Sequence, residues 1–265
     1  MSAHHIAEHL RDRRAGVVHL EPPQATSFLT PDAIDPGRWE GALWIPPRSS
    51  IASRIPSARS RGSCRGASPY QEAGRSLVFE SNLERKFQAM LQADRNIRSI
   101  EDQPSAVTYV DREGLTRRHT FDFRVVTIDG KRVAYSVKPT AKVKKSGIEE
   151  ILRAIRKQVG PKFADIYELR TDAEITDAKA QDAREILHYR RACNEADVQE
   201  MRRFVSTLRG CAKMRDVARA SAMVEGRAWA ALVNLIDVGE LALTEGSHIG
   251  DFAAIRFRPL TQSLR

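Results

Sequence analysis

The sequence predicts an α/β protein in which a small mixed β-sheet is flanked by helices and followed by a helical domain. Three observations support this class. Residues 119–140 alternate apolar and polar side chains with the period of two that is typical of half-buried strands. Helical patterns with a 3.6-residue spacing lie on either side of this segment. A further strand pattern at residues 164–169 would extend the sheet and close the α/β unit.

Composition divides the chain into three regions. Residues 1–70 hold eight of the twelve prolines and show no sustained periodicity, so we expect a basic, extended arm. An α/β domain is expected over residues 71–177, and a helical linker with a second small domain over residues 178–265. Between residues 48 and 70 of the arm, arginines are interleaved with serines and no acid occurs. This segment fits either contact with DNA phosphates or a protein partner, or a solvated linker. These arginines are Arg48, Arg54, Arg59, Arg61 and Arg65.

The net charge of +9 and the isoelectric point near 9.7 favour a polyanionic partner. Double-stranded DNA is the partner that we expect, in preference to a membrane. The sequence contains no apolar run of about 18 residues and no charged-then-apolar leader pattern. We therefore expect a cytoplasmic protein without a membrane partner.

The first helical pattern begins at about Ser76. Its core face is formed by Leu83, Phe87, Met90 and Leu91. Glu80 and Glu84 lie one turn apart on an adjoining face. They either reach toward the sheet or form an exposed acidic pair, and the residues alone favour the exposed pair. Residues 107–109 are then predicted to form the first strand.

The turn within residues 119–140 decides which side chains share a face. Asp129-Gly130 is typical of a two-residue hairpin loop. That loop would place an aromatic side chain on the polar face, because a slip of one residue flips every side chain. We therefore predict an odd-length loop or a bulge, with Gly130 near a left-handed conformation and Phe123 paired with Val137.

The polar face of this hairpin carries Asp122, Ser136 and Lys138. In the predicted register Asp122 lies opposite Lys138, and Ser136 lies about 6.6 Å along the strand from that lysine. A carboxylate, a second oxygen ligand and a lysine two residues later can hold Mg²⁺ and a water at a scissile phosphate. The pattern alone also occurs by chance in many sheets. His119 at the strand entrance either contacts phosphate or caps the strand.

The wider order of residues is more specific. A helix with Leu-Glu-Arg at 83–85, an Ile-Glu-Asp-Gln-Pro connection at 100–104, the hairpin and Val-Lys-Pro at 137–139 follow one another. This course resembles the N-terminal nuclease domain of TnsA, the endonuclease subunit of heteromeric cut-and-paste transposases, and its hairpin is similar to the PD-(D/E)XK nuclease signature. The resemblance covers residues 70–176 and, more loosely, the C-terminal part.

The resemblance implies a restriction-endonuclease-like fold and a Mg²⁺-dependent DNA endonuclease, with Mn²⁺ as an alternative metal, that cuts one strand at transposon ends. It also implies two partners, a DDE-type transposase subunit and a regulator ATPase. Glu84, Asp122 and Lys138 fall on family active-site positions: the two acids would bind metal and the lysine would position the nucleophile. Ser136 stands where the family carries Gln or an acid, and would be a weak or water-mediated ligand.

Two alternatives remain open, and the departure at Ser136 supports the first of them. The first is a catalytically weak or inactive nuclease-fold protein that acts as a DNA-binding or scaffold subunit. The second is a stand-alone phage or restriction-type nuclease.

Basic residues follow the hairpin in a helical pattern at residues 147–159 and in the segment before it. They would line a groove for the DNA backbone, or form an ordinary solvated helix face. Helical patterns at 214–220 and 224–236, with strand patterns at 241–243 and 255–257, indicate a winged helix-turn-helix-like module. Its second helix has few base-reading side chains, so it binds either DNA or another subunit. The candidate DNA-binding residues are Lys142, Lys144, Lys145, Arg153, Arg156 and Arg227.

Overall fold

The computed structural model describes residues 47–54 and 64–258. Most of the arm expected over residues 1–70 therefore lies outside the described residues. None of the described helices combines the length and apolar character needed to cross a bilayer.

A short antiparallel hairpin precedes the first helix. Its strands are β1 (Gly66–Tyr70) and β2 (Arg75–Phe79). The boundary expected at residue 70 falls inside this hairpin. Tyr70 and Leu77 are buried in the same core as Phe87, so these residues pack as part of the α/β domain.

The first helix, α1, spans Asn82–Ala93, and the prediction that it begins near Ser76 is wrong. Residues 75–79 alternate buried and half-buried side chains, as a strand does. The helix begins where Ser81 accepts a hydrogen bond from the backbone N–H of Glu84 at 3.1 Å. The sequence pattern did not reveal this N-cap, because the apolar residues continue on both sides of Ser81.

The central sheet has four strands and is mixed, as predicted. Its order is β3-β6-β7-β8, in which the first three strands are antiparallel and β8 runs parallel to β7. The strands are β3 (Ile97–Asp102), β6 (Phe123–Thr127), β7 (Arg132–Val137) and β8 (Ile166–Arg170).

Helices cover both faces of this sheet. On one face, Phe87 of α1 packs edge-on against Phe123 and Tyr135, with ring centroids 5.9 and 5.1 Å apart. On the other face, Leu152 and Ile155 pack with the sheet and with neighbouring aromatic residues. They belong to α3 (Ile148–Gln158), which follows α2 (Thr140–Ser146).

Residues 107–109 form a strand, as predicted, but it is not the first strand and it does not join the central sheet. They belong to β4 (Val107–Val110), which pairs only with β5 (Thr116–His119) in a separate two-stranded ribbon. Asp111 closes the ribbon by accepting hydrogen bonds from the backbone N–H groups of Glu113 and Leu115, both at 2.9 Å. Local turn chemistry therefore pairs β4 with its sequence neighbour.

The hairpin loop between β6 and β7 has an odd length, as predicted. Gly130 adopts a left-handed conformation with φ of 84°. Thr127 donates its backbone N–H to the carbonyl of Lys131 at 2.9 Å, and its hydroxyl donates to the same carbonyl at 3.0 Å. These bonds close a loop of residues 128–130.

The predicted register of this hairpin is wrong by two residues. Phe123 pairs with Tyr135, which lies two residues closer to the turn than the predicted partner, Val137. A shift of two residues keeps every side chain on its predicted face. It does place Asp122 across from Ser136 instead of Lys138.

The C-terminal part contains helices and short strands where the sequence predicts them. The helices are α4 (Asp177–Arg191), α5 (Glu195–Ser206), α6 (Met214–Ala220) and α7 (Glu225–Asp237). The strands β9 (Ala212–Lys213), β10 (Leu241–Leu243) and β11 (Ala254–Phe257) form an antiparallel sheet of order β10-β11-β9. These elements bury a core of their own around Met201, Met214 and Leu232.

Arg190 joins this part to the α/β domain. Its guanidinium donates to the carbonyls of Gln92 and Ala93 at the end of α1, at 3.1 and 2.7 Å, and to the carboxylate of Asp237 at 2.7 and 2.9 Å. Burial pushes the pKa of Asp237 up, but hydrogen bonds from Arg190 and Arg95 outweigh burial and leave that pKa below its usual value. This network fixes α4, α1 and α7 together.

Candidate active site

A polar cavity of about 440 Å³ opens where β6 begins and β7 ends, beside the start of α1. All four residues predicted for catalysis line it, although α1 lies far from the hairpin in sequence. The cavity residues considered below are Glu84, Gln103, His119, Asp122, Ser136 and Lys138.

Glu84 is held in place by the cap of α1. Its carboxylate accepts hydrogen bonds from the hydroxyl of Ser81 and from the backbone N–H of Glu80, both at 2.8 Å. Only 7% of Glu84 is exposed, and burial raises the pKa of its carboxyl group. Each carboxylate oxygen has two lone pairs, so the cap orients this group and leaves acceptor capacity toward the cavity.

Asp122 connects three strands at the edge of the cavity. Its backbone N–H donates to the carbonyl of Tyr135 at 2.9 Å, and its carbonyl accepts from the N–H of Gln103 at 2.9 Å. The carboxylate accepts from the backbone N–H of Val137 at 2.7 Å. Burial, and then the negative charge of Glu84, raise the pKa of Asp122 to about 7. The two carboxyl groups thus lie close enough to repel each other, which is the state that a bound cation would relieve.

Ser136 is 1% exposed, and its hydroxyl lies 2.9 Å from Nε2 of His119. Burial, and then the positive charge of Lys138, lower the pKa of His119 to about 4, so this ring is neutral near pH 7. The hydroxyl that stands at the expected ligand position is therefore already engaged by an imidazole.

Lys138 follows the last residue of β7. Its backbone N–H donates to the carbonyl of Arg170 at 3.0 Å and so continues the parallel pairing with β8. Its positive charge acts on both His119 and Asp122. The ammonium group is therefore within electrostatic reach of both sides of the cavity.

Two further residues contribute polar groups that sequence reasoning did not assign to the site. Gln103, in the Ile-Glu-Asp-Gln-Pro connection, lines the cavity with 3% of its surface exposed. Arg54, expected only as part of the arm, lines the same cavity and forms an ion pair with Glu80. Glu80 was not expected to bind metal, and its carboxylate is committed to this arginine.

The candidate DNA-binding residues lie outside the cavity. Lys142, Lys144 and Lys145 are exposed on α2, which begins directly after Lys138-Pro139. Arg153 is exposed on α3.

The two remaining candidates are tied to protein groups. Arg156 donates to the backbone carbonyl of Tyr167 at 2.6 Å, and Arg227 forms an ion pair with Asp197. Since Arg227 remains 58% exposed, its guanidinium is oriented but still accessible.

The donor set of the cavity fits a hard divalent cation. Among residues 47–54 and 64–258, no three His, Cys, Asp or Glu side chains converge as a metal site. Mg²⁺ does not require three, because it is commonly bound through one or two carboxylates and keeps several waters. Glu84 and Asp122 supply two carboxylates, and Gln103, which also lines the cavity, has a buried side-chain oxygen, Oε1, without a hydrogen-bond partner.

A comparison with known protein families finds a match for part of the domain around this cavity. Residues 94–188 match the family model described as TnsA-like endonuclease N terminal. The matched segment contains Asp122, Ser136 and Lys138, whereas Glu84 precedes it. The mixed sheet with its flanking helices fits a nuclease-like fold. No curated protein matches the chain.

Proposed function

Because residues 94–188 of this chain match the model of a TnsA-like endonuclease N-terminal domain, we propose that the protein is the metal-dependent DNA endonuclease subunit of a heteromeric transposase. It would cut one strand of double-stranded DNA at transposon ends. The observation that carries this proposal is that the carboxyl groups of Glu84 and Asp122 lie with Lys138 in one polar cavity.

In this proposal the chain's own groups have distinct tasks. Glu84 and Asp122 would hold Mg²⁺ or Mn²⁺, and their fixed hydrogen bonds from α1 and β7 pre-orient them. A divalent ion bound there would supply Lewis acidity and lower the pKa of a water. Lys138 would orient the attacking water and offset negative charge that develops on the phosphate. Arg54 at the same cavity would contact a neighbouring phosphate.

The direct test is nicking of supercoiled DNA by the purified protein with Mg²⁺, with Mn²⁺ and with EDTA, alone and with its candidate transposase. Lys138→Ala is expected to lower nicking by about a hundredfold or more, while Mn²⁺ still binds. Lys131→Ala, which removes a lysine at the turn of the same hairpin and outside the cavity, is the matched control. Nicking that survives both EDTA and Lys138→Ala would refute the proposed site.

A second candidate function, a DNA-binding or scaffold subunit without nuclease activity, rests on one observation. The Ser136 hydroxyl is bonded to His119, so it offers a metal less than the family's Gln or acid would. Partner-dependent nicking separates the two candidates. A scaffold subunit itself cleaves no DNA with any partner, whereas a nuclease subunit is activated by its partner.

Ser136→Gln is expected to strengthen metal binding. A glutamine extends an amide oxygen from the strand into the cavity, where a serine hydroxyl ends near the backbone. We expect the affinity for Mn²⁺ to rise by about tenfold, or about 1.4 kcal/mol, in calorimetric titration. Ser136→Ala, which removes only the hydroxyl, should change the affinity little. An unchanged affinity in a folded Ser136→Gln variant would show that this position does not face the ion.

The lysines of α2 are proposed to contact the DNA backbone next to the cut site. Replacing both Lys144 and Lys145 with alanine should weaken DNA binding for all sequences and lower the slope of log K against log salt by about 2. Lys131→Ala is the control, because it also removes a lysine charge but does so at the far end of the β6–β7 hairpin. Fluorescence anisotropy at several salt concentrations measures the DNA affinity and its salt dependence. An unchanged slope in the double variant would contradict a contact between α2 and the DNA.

We further propose three functional regions: an arm over residues 1–70, a nuclease domain over 71–177 and a linker with a winged-helix-like domain over 178–265. The helix pair α6 and α7 and the small sheet support the last of these. Since Arg227 is committed to Asp197 and Asn234 is 5% exposed, α7 offers DNA bases few groups. This domain is better suited to a protein partner, a transposase subunit or a regulator ATPase.

A further inference from the structure

Gln103 has a buried side-chain oxygen that no protein group satisfies. Oε1 is inaccessible to solvent and has no hydrogen-bond partner, although the residue lines the cavity with Glu84 and Asp122. Buried polar atoms are nearly always paired, since leaving one unpaired costs the desolvation of that group. A residue that shares a cavity with two carboxylates thus carries an oxygen acceptor that no protein group uses.

The backbone of Gln103 is held firmly in an unusual conformation. Its φ is +39°, a value that side-chain-bearing residues rarely adopt. The N–H donates to the carbonyl of Asp122 at 2.9 Å, and the carbonyl accepts from both the N–H and the hydroxyl of Ser53, each at 2.9 Å. Hydrogen bonds on both sides thus keep Gln103 directly next to Asp122 on the neighbouring strand.

The position at which the family resemblance places a neutral or acidic oxygen ligand is occupied differently in this chain. Ser136 has a short side chain, and its hydroxyl lies 2.9 Å from Nε2 of His119. One oxygen donor is therefore lacking on β7, while one unpaired oxygen donor is present at the end of β3.

We propose that the side-chain amide oxygen of Gln103 is a ligand of the divalent cation, and that it supplies the donor that Ser136 does not. This inference rests on the proposed function, because it requires a cation between Glu84 and Asp122. An amide oxygen is a hard neutral donor of the kind that Mg²⁺ and Mn²⁺ accept. It adds a ligand without adding a third negative charge to a cavity whose carboxyl groups already repel each other.

The test is calorimetric titration of the full chain with Mn²⁺, together with the metal-induced shift in melting temperature. Gln103→Met keeps the length of the side chain and removes the amide. We expect the Mn²⁺ affinity to fall by about 10-fold to 100-fold, on the scale of losses from removing a group that supports a metal site, while the metal-free protein stays as stable as the wild type or becomes more stable. Gln103→Glu restores an oxygen donor and should recover or exceed the wild-type affinity.

Gln88→Met is the matched control. Gln88 is also buried, at 1% exposure, and its Oε1 is also unpaired. Its Nε2 donates to the Ser68 hydroxyl and to the carbonyl of Leu77, and the residue does not line the cavity. Its replacement should leave the metal affinity unchanged.

The outcomes separate this inference from the proposed function. If Gln103→Met binds Mn²⁺ like the wild type while Asp122→Ala does not bind it, the cation site stands and the role of Gln103 is wrong. If Gln103→Glu binds worse than Gln103→Met, the amide acts as a hydrogen-bond donor, and the ligand role is again wrong. If neither Asp122→Ala nor Gln103→Met changes Mn²⁺ binding, the proposed site itself fails.

Discussion

Replacing Asp122 with alanine is expected to abolish both divalent-metal binding and DNA nicking. Asp122 shares the cavity with Glu84, and its carboxylate is fixed by the backbone N–H of Val137 at 2.7 Å. Without it, one carboxylate would remain to hold the ion. We expect cleavage to fall by on the order of a thousandfold or more, equal to about 4 kcal/mol of transition-state stabilisation.

The stability of the Asp122 variant distinguishes a metal ligand from a structural residue. In the metal-free protein, the substitution removes the repulsion between Asp122 and Glu84 but leaves the Val137 N–H without its acceptor. These effects oppose each other, so the metal-free melting temperature should change little. The increase in melting temperature that Mn²⁺ causes in the wild type should disappear.

Two control variants isolate the charge of Asp122. Asp122→Asn keeps an oxygen that accepts from Val137, so a loss of metal binding in this variant reports the missing charge. Asp129→Ala removes an aspartate from the turn of the same hairpin, where Asp129 pairs with Lys131 on the surface. It should bind metal and nick DNA as the wild type does. Wild-type nicking by Asp122→Ala would contradict the assignment.

The largest loss of stability is expected from Asp102→Ala. Asp102 is fully buried and accepts three hydrogen bonds: from the backbone N–H of Val78 at 2.7 Å, from the Ser50 hydroxyl at 2.5 Å and from Arg75 at 2.9 Å. It thereby joins β3, β2 and the segment 47–54. Its removal leaves the buried guanidinium of Arg75 uncompensated, which costs about 3–5 kcal/mol. In urea unfolding the midpoint should fall accordingly.

The neighbouring Glu101 provides the matched control for Asp102. Glu101 also pairs with an arginine, Arg124, but both side chains are about one-third exposed. Glu101→Ala should cost about 1 kcal/mol or less. The double variant Arg75→Met with Asp102→Leu removes both buried charges and should be more stable than Asp102→Ala alone. Equal losses for Asp102→Ala and Glu101→Ala would contradict the description of a buried anchor.

Alternation of side chains was sufficient to predict the strands that carry Asp122 and Lys138, because burial of one face imposes a period of two. The odd loop length followed from the same constraint, together with Gly130. The exact register did not follow, since it depends on the hydrogen bonds that Thr127 makes to Lys131. A shift of two residues leaves the pattern of buried positions unchanged, so the pattern could not reveal it.

The parts of the site that depend on contacts between distant segments were harder to predict from the sequence. Glu84 was assigned by family resemblance alone, because its own helix pattern favours an exposed acidic pair. Gln103 was missed as a site residue because neither its unpaired oxygen nor its positive φ has a local sequence signal. The adjacent Pro104 indicates only that regular secondary structure is interrupted there. Arg54 was recognised as part of a basic arm, but its place beside Glu80 depends on tertiary packing.

The most direct test of the proposed cation site is the anomalous scattering of Mn²⁺ in crystals of the protein. We expect an anomalous peak in the cavity within about 2.2 Å of carboxylate oxygens of both Asp122 and Glu84, with Oε1 of Gln103 as a further ligand, and no such peak in crystals of Asp122→Ala. A cavity without a peak at a Mn²⁺ concentration that supports nicking, or a peak that persists in Asp122→Ala, would contradict it.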